Sequence, residues 1–151
     1  MGIKPVILHI TTCYPNKFDE QLGVFIQKHI EKGFGFSENI VLALIPVHHN
    51  KSKIIEIEIK KNEHSTEIIV LYSESTRHKY LSLRTRQKAI KMGIEEVMKM
   101  AKTPDCIMCH VAEVSLWIAH KFYPLKPIFL SEHWSGFIDG RFEGNTVMQK
   151  M

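Results

Sequence analysis

Asn39-Ile40-Val41-Leu42-Ala43-Leu44-Ile45-Pro46-Val47 is apolar from its second residue to its last. A strand with one wet face alternates apolar and polar residues. A strand that does not alternate must bury both faces, and such strands belong to parallel sheets covered by helices. Upstream, Val6-Ile7-Leu8-His9-Ile10 reads as another buried strand. A helical pattern separates the two. Gly23 opens it, and Phe25, Ile26, His29, Ile30 and Gly33 recur at helix spacing. Gly33 and Gly35 are placed to end it, since glycine tolerates a left-handed cap.

Downstream the period changes. Ile55, Ile57 and Ile59 alternate with Glu56, Glu58 and Lys60, which is a half-exposed strand. Asn62-Glu63-His64 turns the chain into Ile68-Ile69-Val70-Leu71-Tyr72, so a hairpin is expected at or near a sheet edge. Leu81 to Lys102 is the longest helix, with Leu83, Ile90, Ile94, Val97, Met98 and Ala101 on one stripe. Thr103-Pro104-Asp105 stops it. Cys106-Ile107-Met108-Cys109 is a short buried strand ending at His110, Val114 to Phe122 a helix, and Ile128-Phe129-Leu130 a last strand buried on both faces. This alternation predicts an α/β domain: a mostly parallel sheet, helices on both faces and a β-hairpin excursion.

The 151 residues fit one domain, and 44% hydrophobic composition can bury a core. The formal charge of +4 suits solubility or weak attraction to an anionic surface. No apolar run reaches membrane-spanning length. The N-terminus lacks a signal-peptide layout, and three cysteines without one imply reduced thiols and a cytoplasmic setting. The tail Asp139-Gly140-Arg141-Phe142-Glu143-Gly144-Asn145 is turn-rich and no closing element precedes Met151. A doubly wound half usually has a further strand or two, so the chain is expected to be incomplete.

Ligands of open α/β sheets bind just outside the carboxyl ends of the strands. Ile128-Phe129-Leu130-Ser131-Glu132-His133-Trp134-Ser135-Gly136-Phe137 passes from apolar to polar at such an end. Strand one ends at Thr11 and Thr12, and its loop leads to Gly23. A glycine at a helix start lets a phosphate approach free N–H groups, although a turn is the commonest role of a single glycine. His110 and His133 end two strands at one edge. Imidazole there can bond sugar hydroxyls or carry a proton, and a strand-end histidine can equally be structural. If the last strand continues, Glu132 and His133 point to opposite faces.

Cys106 to His110 matches the haem-attachment string C-x-x-C-H. Thiols three apart on a strand face opposite ways, which disfavours both haem and zinc and leaves two small buried thiols. Arg77, His78, Lys79, Arg84, Arg86, Lys88 and Lys91 form either a solvated face or a patch for anionic lipid. Aromatic residues do not interleave with them, so no nucleic-acid partner is expected.

Three stretches carry a resemblance. They are Thr12-Cys13-Tyr14-Pro15 with Phe18 and Gly23-Val24-Phe25, then Pro104-Asp105-Cys106-Ile107-Met108-Cys109-His110, then Pro127 to Gly136. In this order they resemble the N-terminal half of GT-B-fold glycosyltransferases of family 4, retaining enzymes that use nucleotide-sugar donors. The match runs from about Val6 to Phe137. It implies a Rossmann-like, acceptor-side domain over residues 1–151. It implies a nucleotide-sugar co-substrate, no cofactor, no metal, and a glycan or lipid-linked acceptor. The setting implied is polysaccharide or other glycan biosynthesis in the cytoplasm, with peripheral contact at the inner membrane face.

By the same resemblance, Gly23 lies against the donor diphosphate and His133 is the catalytic contact to the transferred sugar or its acceptor. His110, Glu132 and Trp134 line the acceptor cleft. There are departures: Leu22 stands where many members have a second glycine, and Met108 where the family strand often has a second histidine. The C-terminal domain with its E-x7-E glutamates is not in this sequence. The expectation is therefore half of a site, inactive without a partner domain and able to associate through the face that domain would cover. The alternative is a non-catalytic Rossmann-like binding or interaction domain.

Overall fold

The structure, a computed structural model, describes residues 4–33, 35–47, 55–74, 79–112 and 114–132. The apolar run around Ala43 is β2 (Glu38–Val47), buried without a break from Asn39 to Ile45. Its position explains the burial. β1 (Val6–Thr11) lies parallel on one side and β4 (Ser65–Ser73) parallel on the other. Side chains leave β2 alternately into two cores. Ile40, Leu42 and Leu44 join Leu8, Ile10, Ile68 and Val70 against α2 (Lys79–Lys99) and α3 (Val114–Phe122). Val41, Ala43 and Ile45 join Ile69 and Leu71 against α1 (Val24–Lys32). Pro46 is tolerated in this central strand because the pairing with β1 stops at Ala43.

The sheet is completed by β3 (Ile55–Lys61), β5 (Cys106–His110) and β6 (Ile128–Ser131), in the order β3-β4-β2-β1-β5-β6. Among the described strands only β3 runs antiparallel, paired with β4 as the expected hairpin. Its exposed Glu56, Lys60 and Lys61 guard that edge against further strand addition. The chain builds outward through β1, β2 and β4, then crosses back to the other side of β1 for β5 and β6. Right-handed crossovers in opposite directions place their helices on opposite faces. Hence α1 covers one face, and α2 and α3 the other. This is the Rossmann-like α/β architecture, and the reversal point lies between β1 and β5. Among the described residues, no helix is long and apolar enough to cross a membrane.

Local expectations change in three places. In α2, Leu83 and Met98 are exposed and Ala101 lies past the helix end with φ 51°. The buried line is Thr85, Ala89, Ile90, Gly93, Ile94 and Val97. Small residues decide this rotation. A Cβ on Gly93 would stand 2.8 Å from Leu42 Cδ1 and 3.1 Å from Val70 Cγ2, so the glycine lets the helix sit low on β2 and β4. In α1, only Ile26 and Ile30 are buried, while Phe25 and His29 are exposed. Its cap Gly33 is right-handed at φ −77°, and the positive φ falls on Gly35, at 103°. In β6, Phe129 and Leu130 are exposed, at 53% and 44%, rather than buried on both faces. Among the described residues β6 is the outermost strand and pairs with β5 alone.

Candidate functional site

Sheets of this kind bind ligands beside the reversal, outside the carboxyl ends of the strands, and at those ends of β1 and β5 Thr11 and His110 stand in register. Thr11 is fully buried and curls the chain after it. Its hydroxyl donates to the Cys13 carbonyl at 2.9 Å, and the Cys13 N–H donates back to it at 3.0 Å. Tyr14 then roots the loop in the core beneath α1, with its hydroxyl donating to Glu67 Oε1 at 2.8 Å. Asn16 Oδ1 accepts from the Phe18 and Asp19 N–H groups at 3.0 and 3.3 Å, and Asp19 Oδ1 accepts from Gln21 and Leu22 at 3.0 and 3.1 Å. These side-chain turns deliver Gly23 to the start of α1.

Gly23 is buried with φ 65°. A Cβ there would stand 2.3 Å from the Cys13 carbonyl oxygen and 2.6 Å from its carbon. Only glycine fits, and the helix start is thereby clamped onto the loop that leaves β1. Gly23 is thus tied through Cys13 and Thr11 to the strand end at which the buried His110 stands.

Beyond His110 runs the β5–α3 loop. Val111 has φ 64°, an outlier for a β-branched residue. Strain of this kind persists only when neighbours over-determine it. Here the Val111 N–H donates to the Ser131 carbonyl at 3.2 Å, and the Ser115 hydroxyl caps the Val111 carbonyl. The Ala112 N–H donates to Glu132 Oε2 at 3.0 Å. The Glu132 carboxylate is thus a clamp on the loop, and β6 ends at Ser131 before the proposed alternation with His133 begins. His133 and Trp134 lie outside the described residues.

Sequence reasoning passed over His9. It sits mid-strand in β1, 7% exposed, with Nδ1 3.0 Å from His110 Nε2 and Nε2 3.2 Å from Asn39 Oδ1. Burial pushes its pKa down from 6.5 to about 4, opposed in part by the Asn39 bond, so it is neutral at pH 7. The signal was present: a histidine inside an otherwise apolar strand must find partners on neighbouring strands.

Asp105, at the start of the same stretch as His110, works at the far end of the sheet. Its Oδ2 accepts the Val6 N–H at 2.7 Å and fastens β5 to β1. Cys109 packs in the core against α3 while Cys106 alternates to the other face. Burial pushes the Cys109 thiol up to about 11, and also raises Cys13 and Cys106, each with help from a nearby aspartate. Such thiols are poor nucleophiles and ligands. Among the described residues, no group of three or more His, Cys, Asp and Glu can hold a metal. A cavity of about 400 Å³ lies elsewhere, between β3 and α2, lined by Ile55, Leu81, Arg84, Thr85, Lys88 and Met92.

No protein-family model matches the chain, and no curated protein matches it.

Proposed function

We propose that the chain is the acceptor-side domain of a retaining glycosyltransferase that uses a nucleotide-sugar donor and a glycan or lipid-linked acceptor. The supporting observation is that Gly23 is tied through Cys13 and Thr11 to the strand end at which His110 stands, beside the reversal between β1 and β5, the place at which this architecture binds ligands. In this reading Gly23 brings α1 close to the diphosphate, and His110 lines the cleft behind His133, which orients the sugar. Glu132 shapes the cleft indirectly through Ala112, and Trp134 completes the acceptor side. The donor nucleotide would be held mainly by another domain, so this half binds it weakly.

Nuclear magnetic resonance titration with uridine, guanosine and adenosine diphosphates tests the reading. Saturable shifts at Val24 and His110, with a Kd of about 1 mM for at least one nucleotide, are expected. No saturable shift, or shifts confined to the Arg84–Lys88 cavity, would overturn it. One observation favours the alternative, a non-catalytic Rossmann-like binding domain. Contact with the Cys13 backbone already demands glycine at position 23, with no diphosphate needed to explain it.

Peripheral contact with an anionic membrane belongs to the same reading. Tyr80 and Leu83 on α2 are 87% and 51% exposed, and Arg84 and Lys88 follow them on that face of the helix. Exposed apolar side chains beside cations suit an interface. The protein should co-sediment with vesicles containing phosphatidylserine and not with neutral phosphatidylcholine vesicles. Equal sedimentation with both, or with neither, counts against membrane contact.

A further inference from the structure

We propose that His9 is a positioning residue for His110, and that the buried row Asn39–His9–His110 fixes which nitrogen of His110 carries its proton. The hydrogen positions follow from the far end of the row. The His64 carbonyl oxygen can only accept, so Asn39 turns Nδ2 towards it, at 3.2 Å. Asn39 Oδ1 is left facing His9 and also accepts the Ser37 hydroxyl at 2.9 Å. An amide oxygen cannot donate, so His9 Nε2, at 3.2 Å, carries a hydrogen. Neutral imidazole has one N–H, and His9 is neutral. Its Nδ1 is therefore an acceptor, and His110 Nε2, at 3.0 Å, donates to it.

The ring geometry agrees. The centroids are 5.3 Å apart and the planes 18° from parallel. That separation exceeds the N···N distance by about the two ring radii. The rings thus meet end to end in nearly one plane, as an N–H···N bond requires, rather than face to face.

His110 consequently keeps its Nε2 proton in both charge states, and any proton it gains or loses passes through Nδ1. On this face β1 also presents Thr11, β5 Met108 and β6 Ser131, all uncharged. The buried residues of α1 are Ile26 and Ile30. Glu67 on β4 is taken up by Tyr14, Asn62 and Ser65, and Glu132 by the Ala112 N–H. A histidine so held offers a ligand at the strand ends its Nδ1, which in the neutral ring accepts a hydrogen, as from a sugar hydroxyl. That use rests on the site placement proposed above, whereas the tautomer does not.

Long-range proton–nitrogen spectra of the 15N-labelled full chain read the tautomer directly. His9→Gln and His110→Gln assign the two imidazoles. Hydrogen on Nε2 of both rings is the expected wild-type result. Asn39→Leu removes the acceptor, lets His9 carry its hydrogen on Nδ1, and should shift His110 to a mixture of tautomers. Hydrogen on Nδ1 of wild-type His110, or an unchanged His110 in folded Asn39→Leu, overturns the proposal. If that variant does not fold, the wild-type spectrum still decides. Adding uridine diphosphate to the same sample separates the two claims. An Nε2–H tautomer with no nucleotide-induced shift at His110 defeats the transferase reading and leaves the relay standing.

Discussion

Acidifying the protein from about pH 6.5 to about pH 4 will remove roughly 3 kcal/mol of folding stability through His9 alone. In the folded chain burial holds its pKa at about 4, against 6.5 for the ordinary group. Between those values the unfolded chain binds a proton that the folded chain refuses. Stability therefore rises with pH across this window, is fully present above 6.5, and is lost as the pH falls to about 4. Below that both states are protonated and the loss stops growing. Other groups titrate in the same range, so the His9 share is a difference between two proteins. Urea midpoints at each pH for the wild type and for His9→Gln give it. The variant is expected to be less stable at pH 7, because Asn39 and His110 lose their partner, yet flatter in its response to acid. Parallel profiles for the two proteins would show that His9 is not held neutral in the fold.

Gly23→Ala should be the most damaging alanine substitution among the described glycines, at about 3 kcal/mol, equivalent to a fall in Tm of about 10 °C. Two costs combine. At φ 65° an alanine is strained, and its Cβ would fall 2.3 Å from the Cys13 oxygen. The obstructing atoms are backbone, held by Thr11 on one side and by the buried Tyr14 on the other, so they cannot swing aside. Gly23→Asn separates the two costs. Asparagine accepts a left-handed backbone better than alanine, so what remains is the collision. Gly33→Ala is the control at the other end of α1. Its φ of −77° is ordinary, and the nearest atom to an added Cβ is 3.4 Å away. That variant should match the wild type or exceed it by about 0.5 kcal/mol. Thermal unfolding that ranks Gly33→Ala below Gly23→Ala would contradict this geometry.

The places of the candidate residues in the fold were legible because they close strands or open a helix. Thr11, Gly23 and His110 stand where an apolar period stops, and the period is a property of neighbouring residues. The roles were less legible. Gly23 looked like a phosphate cradle or a turn, and the structure adds a third demand, the Cys13 backbone. Glu132 looked like a cleft residue, and the structure adds that its carboxylate holds the amide of Ala112. That contact spans 20 residues of sequence, and no periodicity encodes it. The stripe on α2 held at Ile90, Ile94 and Val97 and failed at Leu83, Met98 and Ala101, because a helix can turn about its axis to seat a glycine, which hydropathy patterning scores as nothing.

The sequence by itself determined the order and kind of the elements. Runs that do not alternate, such as Asn39 to Val47, demand a parallel sheet with two covered faces. The alternating Ile55, Ile57 and Ile59 demand a hairpin at its edge. Only the tertiary structure decided strand order and register, and with them the row Asn39–His9–His110. His9 lies 30 residues from Asn39 and 101 from His110, yet the parallel pairing of β2, β1 and β5 sets all three on one face of the sheet. The physical reason is range. Periodicity records which face of an element avoids water, whereas register is settled by which distant side chains fill the same space.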